Sequence, residues 1–128
     1  MDGSTISTIG YTEPSAQERI DAFLAQDRAR HILLDIRYRP YSRWRPAFNH
    51  QALYERYGVQ YAHEQALGNV NYQGGPIALL DAAKGVELVL NLLRNGNTVM
   101  LLCACKDYER CHRKVVYELI IAALAEAR

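Results

Sequence analysis

Two short apolar runs constrain this chain more than any other feature. His31-Ile32-Leu33-Leu34-Asp35-Ile36 and Thr98 to Ala104 are nearly continuous in apolar side chains, without the alternation of a half-exposed strand. Such runs fit strands covered on both faces, which is the setting of a parallel sheet between helices. The segments around them carry helical period. Ile20, Phe23 and Leu24 fall at i, i+3, i+4 behind Ser15 and Glu18, a pair with the spacing of a capping box. Ala47 to Tyr57 reads as a second helix. Leu79 to Leu93 reads as a third, broken near Gly85 and stopped by Asn95-Gly96, and residues 113–127 form a last helix that is apolar on most sides and packs deeply. Ser7 to Tyr11 and, more weakly, Gly58 to Ala62 supply the other strands. Leu67 to Pro76 has three glycines and no period, so it is a loop, and residues 65–76 have the composition of a lid.

Strands and helices in strict alternation predict an α/β fold: a Rossmann-like three-layer sandwich on a mainly parallel sheet of about four strands. With 128 residues the chain is one domain, 1–128, large enough to fold without a metal or disulfide. Folds of this kind hold ligands beyond the carboxyl ends of their strands. That rule selects Gly10-Tyr11-Thr12, residues 35–44, His63-Glu64 and residues 103–113.

Fifteen basic residues against fourteen acidic ones leave a net charge of +1, so no global field recruits nucleic acid and any anion must be met by a local patch. Three cysteines crowded into residues 103–111 make a poor disulfide framework. The opening Met1-Asp2-Gly3-Ser4 lacks the basic start of a secretory signal, and no apolar run approaches the length of a membrane span. A cytoplasmic protein is expected, with no membrane partner.

One local patch is plain. From Arg37 to Phe48 four arginines interleave with Tyr38, Tyr41 and the single Trp44, and no acid occurs between Asp35 and Glu55. Guanidinium groups hold phosphate oxygens and aromatic faces stack bases, so Arg37, Arg43, Tyr41 and Trp44 are candidate ligand contacts. The competing reading is a surface loop whose arginines pair with acids elsewhere. The second constellation runs Cys103-Ala104-Cys105 through Cys111-His112-Arg113, from strand through loop to helix start. Free amides at a helix start attract anions and stabilise a thiolate. Cys111 is therefore a candidate nucleophile beside His112, and Arg113 a candidate anion clamp; a buried structural cysteine is the plain alternative. Cys103, Cys105, Cys111 and His112 also total four soft or borderline metal ligands. Their spacing matches no usual zinc pattern, and adjacent Cys111 and His112 are not expected to converge on one ion, so no metal or cofactor is assigned. Asp35 closes a buried strand as either a general base or the partner of Arg37, pairing being the commoner outcome. His31 and His50 read as ordinary flank positions, and His63 as a strand-end candidate. Walker, dinucleotide and zincin motifs are missing from the sequence.

Thr8-Ile9-Gly10-Tyr11, Leu34-Asp35-Ile36-Arg37 with Pro40-Tyr41-Ser42, Phe48-Asn49, and Leu102-Cys103-Ala104 through Cys111-His112-Arg113 together resemble the domain-of-unknown-function family 488. The resemblance covers about residues 8–120 and implies a small Rossmann-like domain. It points to Gly10, Asp35, Arg37, Pro40, Ser42, Asn49, Cys103, Cys111, His112 and Arg113 as a shared pocket. Tyr11 stands where members often have histidine, and Cys105 where an acid is common. Many members continue into another strand, whereas this sequence stops at Arg128, so an open sheet edge and a homodimer are expected. The functional expectation is an enzyme acting on a nucleotide, nucleobase or nucleic-acid phosphate. Its site joins catalytic Cys111, His112 and Asp35 to binding residues Gly10, Tyr11, Arg37, Tyr41, Ser42, Arg43, Trp44, Asn49, Cys103 and Arg113. A non-catalytic binding module and a cysteine-based redox or zinc protein are the alternatives.

Overall fold

The computed structural model describes residues 5–126. The opening tetrapeptide read for a leader, and the last residue of the expected final helix, lie outside them. Strands β1 (Ile6–Gly10), β2 (His31–Asp35), β3 (Tyr61–His63) and β4 (Thr98–Cys103) form one sheet in the order β1-β4-β2-β3. Every pairing is parallel, with Gly10 opposite Cys103 and Asp35 opposite both Leu102 and His63. Helices α1 (Ala16–Gln26), α2 (His50–Tyr57), α3 (Ala82–Arg94) and α4 (His112–Glu126) cover it.

The chain moves one way across the sheet from β1 to β2 to β3, then returns over β2 to place β4 in the gap. With right-handed crossovers that reversal sends the later helices to the opposite face. Pleating sorts the strand residues accordingly. Leu33, Met100 and Leu102 pack with Ile20 and Leu24 of α1 and Leu53 of α2; Leu34, Leu101 and Cys103 pack with Val89 and Leu93 of α3 and Val116 and Ile120 of α4. Each fully buried leucine contributes about 1.5–3 kcal/mol, which is why the two apolar runs end up central.

Several boundaries differ from expectation for local reasons. Ser15 makes no capping bond and sits in the left-handed region at φ 59°, so the capping box does not form. Its neighbour Glu13 instead accepts the Gly10 amide at 2.5 Å. Helix α2 starts late, after a 3-10 turn at Pro46–Phe48, because Asn49 is extended and turns its side chain to the Ser42 amide. A 3-10 turn at Gly58–Gln60 also delays β3. Helix α3 begins after Asp81, whose carboxylate caps the Lys84 amide, and runs unbroken through Gly85. Helix α4 buries one stripe (Val116, Ile120, Leu124) and leaves Leu119 exposed, less deeply packed than its composition suggested. Among the described residues no helix is long and apolar enough to cross a membrane.

Candidate active site

Asp35 ends β2 fully buried, and the chain turns back so that Arg37 closes on it. Arg37 Nε and Nη2 donate to Asp35 Oδ1 and Oδ2 at 2.8 and 2.6 Å, and Nη2 also reaches the Phe48 carbonyl at 2.6 Å. The Tyr61 hydroxyl donates to Oδ2 at 2.6 Å, which leaves its oxygen to accept from His50 Nδ1 at 3.1 Å. His63 Nε2 donates to the Arg37 carbonyl at 2.7 Å. Burial alone would pull the Arg37 pKa down, but Asp35 holds it above its ordinary value. Burial and then the Asp35 charge push the Tyr61 hydroxyl up. One guanidinium nitrogen, Arg37 Nη1, is buried and has no partner. Asp35 therefore positions Arg37, the commoner of its two expected roles, and its oxygens are occupied.

The second cluster joins the end of β4 to the start of α4. His112, the first residue of α4, is bonded through Nε2 to the Ile36 carbonyl at 2.7 Å. A carbonyl only accepts, so Nε2 carries a proton, and Nδ1 faces Cys103 Sγ, 3.3 Å away. Cys111 Sγ lies 3.1 Å from Cys103 Sγ. Contacts with the Cys103 and Cys105 thiols hold the Cys111 thiol far below its ordinary value against the effect of burial, and His112 and the Arg113 amide add to this. Cys103, pulled down by Cys105 but pushed harder by Cys111 and by burial, rises to about 12; Cys105 is also raised, by Cys103 and Cys111. Cys111 and His112 do converge: their ligand atoms and that of Cys103 all lie within 4.8 Å of one another, because β4 ends against the first turn of α4.

A cavity of about 700 Å³ opens above the carboxyl ends of β1, β4 and β2. Cys103, Cys105 and His112 line it together with Arg37 and Tyr11; Tyr38, Arg39, Tyr41 and Arg110 belong to its wall. Tyr11 is wedged between Phe48, stacked at 4.9 Å, and the Arg37 guanidinium at 5.3 Å. The far wall is the 69–77 loop, pinned where Asn69 Oδ1 accepts the Asn71 and Ala78 amides, with Tyr72 set 6.0 Å from Tyr38. Sequence reasoning did not name Asn69, Asn71, Tyr72 or Arg110 as ligand contacts; the loop's lid-like composition was the only signal for three of them.

The remaining expected residues lie elsewhere. Cys111 is buried and outside the cavity lining. Arg113 spends Nη1 on Thr8 Oγ1 at 2.7 Å and Nη2 on Glu13 at 3.2 Å, so it ties α4 to β1 rather than facing the cavity. Gly10 lets the chain pass: a Cβ there would meet the Cys105 carbonyl oxygen at 1.6 Å. Ser42 and Asn49 fold the arginine-rich arm, Asn49 Oδ1 accepting the Ser42 amide and Ser42 Oγ the Arg45 amide at 3.0 Å. Arg43 and Trp44 stack on each other at 5.2 Å beyond the cavity, with Trp44 81% exposed.

The fold is a small Rossmann-like α/β domain with a cavity at its strand ends. The chain belongs to the DUF488 family: the model described as the active DUF488-N3 subclade matches residues 49–124, and that of the domain of unknown function DUF488 matches residues 15–74. Neither a curated protein nor a solved structure matches it.

Proposed function

We propose that the chain is an enzyme acting on a phosphate-bearing nucleotide, free or in a nucleic-acid strand. The observation that carries this reading is Arg37. Its guanidinium is fixed by three hydrogen bonds from Nε and Nη2, its buried Nη1 has no partner, and the residue lines the same cavity as Cys103 and His112. A cation fixed at a cavity wall is what an anion site requires, since its charge is in place before the ligand arrives. Arg39 and Arg110 at the wall add charge, and the Tyr38 and Tyr72 rings offer faces for a base. The volume is in the range of sites that enclose a small organic ligand. The floor supplies the reacting group, the Cys103 thiol held 3.3 Å from the Nδ1 of an oriented imidazole. The subclade's description as active agrees with a catalytic rather than a merely binding role.

Thermal melts with nucleoside monophosphates, short strands and inorganic phosphate test the reading. A bound ligand at a hundred times its dissociation constant stabilises by ~2.7 kcal/mol. The Arg39→Gln/Arg110→Gln double variant is expected to melt as the wild type but to bind nucleotide at least tenfold more weakly, a loss of about 1.5 kcal/mol or more. The absence of a shift with every phosphate ligand would overturn the proposal.

A further inference from the structure

A thiol–imidazole pair needs one sulfur, and this floor has three. We propose that Cys103, Cys111 and His112 bind a soft divalent cation of the zinc class, with its remaining coordination position open to the cavity. All three residues are buried, and their ligand atoms lie within 4.8 Å of one another. Among the described residues no other group of three His, Cys, Asp or Glu side chains converges in this way. The His112 ring is already oriented as a metal needs. Its Nε2–H is tied to the Ile36 carbonyl at 2.7 Å, and its Nδ1 stands 3.3 Å from Cys103 Sγ. That outer-shell bond is the usual means of orienting a metal-bound imidazole. The ligands also stand on regular elements, Cys103 at the end of β4 and His112 at the start of α4, with Cys111 immediately before it.

Two thiolates and an imidazole select zinc over magnesium or calcium, and the two thiolates neutralise the dication. Tetrahedral zinc, with bonds of about 2.3 Å to sulfur and about 2.0–2.1 Å to nitrogen, sets ligand atoms roughly 3.5–3.8 Å apart. The observed 3.1 and 3.3 Å separations therefore open by a fraction of an ångström on loading, and the Cys111–His112 pair, within 4.8 Å, adjusts to the same spacing. Cys105, half-buried on the cavity wall, is not one of the three ligands. The inference deepens the anion-site reading in one respect: the group facing substrate beside Arg37 becomes a cation with an exchangeable position in place of a free thiol.

The test uses the full, reduced chain, stripped by a chelator and titrated with Co²⁺ as spectroscopic probe and with Zn²⁺ against a chromogenic chelator. One equivalent is expected, with tetrahedral cobalt bands, thiolate charge-transfer absorption and a raised melting temperature. Cys103→Ser, Cys111→Ser and His112→Gln are expected to lose stoichiometric binding, and Cys105→Ser to keep it. A folded wild type that takes up neither ion overturns the proposal even where a buried variant fails to fold. Unchanged binding in Cys103→Ser also overturns it, and loss in Cys105→Ser overturns the open position. Nucleotide melts on the stripped and loaded protein separate this failure from that of the anion site, which predicts nucleotide binding without the ion.

Discussion

Asp35 has no contact with solvent, and its two oxygens receive four donors: the Arg37 amide, Nε and Nη2, and the Tyr61 hydroxyl. Removing one side of such a pair leaves a buried charge uncompensated. Asp35→Ala is therefore expected to lose about 3–5 kcal/mol in urea denaturation, and Tyr61→Phe about 1.5–3 kcal/mol for a hydrogen bond to a charged group. A loss below 1 kcal/mol in Asp35→Ala would remove the network from the account of stability. His50, at the outer end of the same chain, is lowered from 6.5 by burial and then by His63. The unfolded chain then takes up the proton first, so the contribution of His50 is present above pH 6.5 and lost as pH falls below it. Melting temperatures from pH 7.5 to 5 should fall less in His50→Gln than in the wild type; parallel curves would count against it. The Asp35–Arg37 pair was legible because a carboxylate ending an apolar strand needs a cation close by. The shares of Tyr61 and His50 were not, since both arrive from elements distant in sequence.

Helix α3 crosses the 3-10 turn at Gln65–Leu67 where Gly85 faces it. A Cβ at residue 85 would stand 2.4 Å from Leu67 Cγ and Cδ2, and Leu67 is fully buried. Alanine is the better helix former by about 1 kcal/mol, yet Gly85→Ala is expected to destabilise by about 1–3 kcal/mol through overpacking. A higher urea midpoint in the variant would show that Leu67 gives way. The sequence offered the glycine as a helix break because propensity sees only the helix, whereas the close approach of a second element keeps it. Ser15 teaches the same lesson in reverse. Ser-x-x-Glu spacing is a local signal, but Glu13 binds the Gly10 amide and Arg113, which draws the preceding turn into another shape. The strands were read within a residue or two at most ends because their apolar runs depend on sheet burial, which composition does reveal.

At the scale of the molecule, the alternation of elements was enough for a parallel three-layer sandwich, but not for the order β1-β4-β2-β3. That order depends on which strands pair across long separations, and no local period records it. It matters for function, because the order brings the turn after β4 between those after β1 and β2, and so places Cys103 and His112 beside Arg37 and Tyr11. Around this site the near-neutral chain concentrates positive charge in one arm. Among the described residues Arg39, Arg43 and Arg45 have no carboxylate partner, and all three are exposed. Trp44, the only tryptophan, stands among them 81% exposed, so its fluorescence reports on the arm alone. A nucleic-acid strand entering the cavity past Tyr41 would lie on this arm. A short single strand should therefore quench Trp44 emission, with affinity falling as salt rises by a log–log slope of about 0.7 for each phosphate neutralised. Arg43→Gln/Arg45→Gln should flatten that slope by roughly 1.4. Inorganic phosphate, which reaches only the cavity, should leave the emission unchanged. A saturating strand that neither quenches Trp44 nor shows this salt dependence would confine the ligand to a free nucleotide.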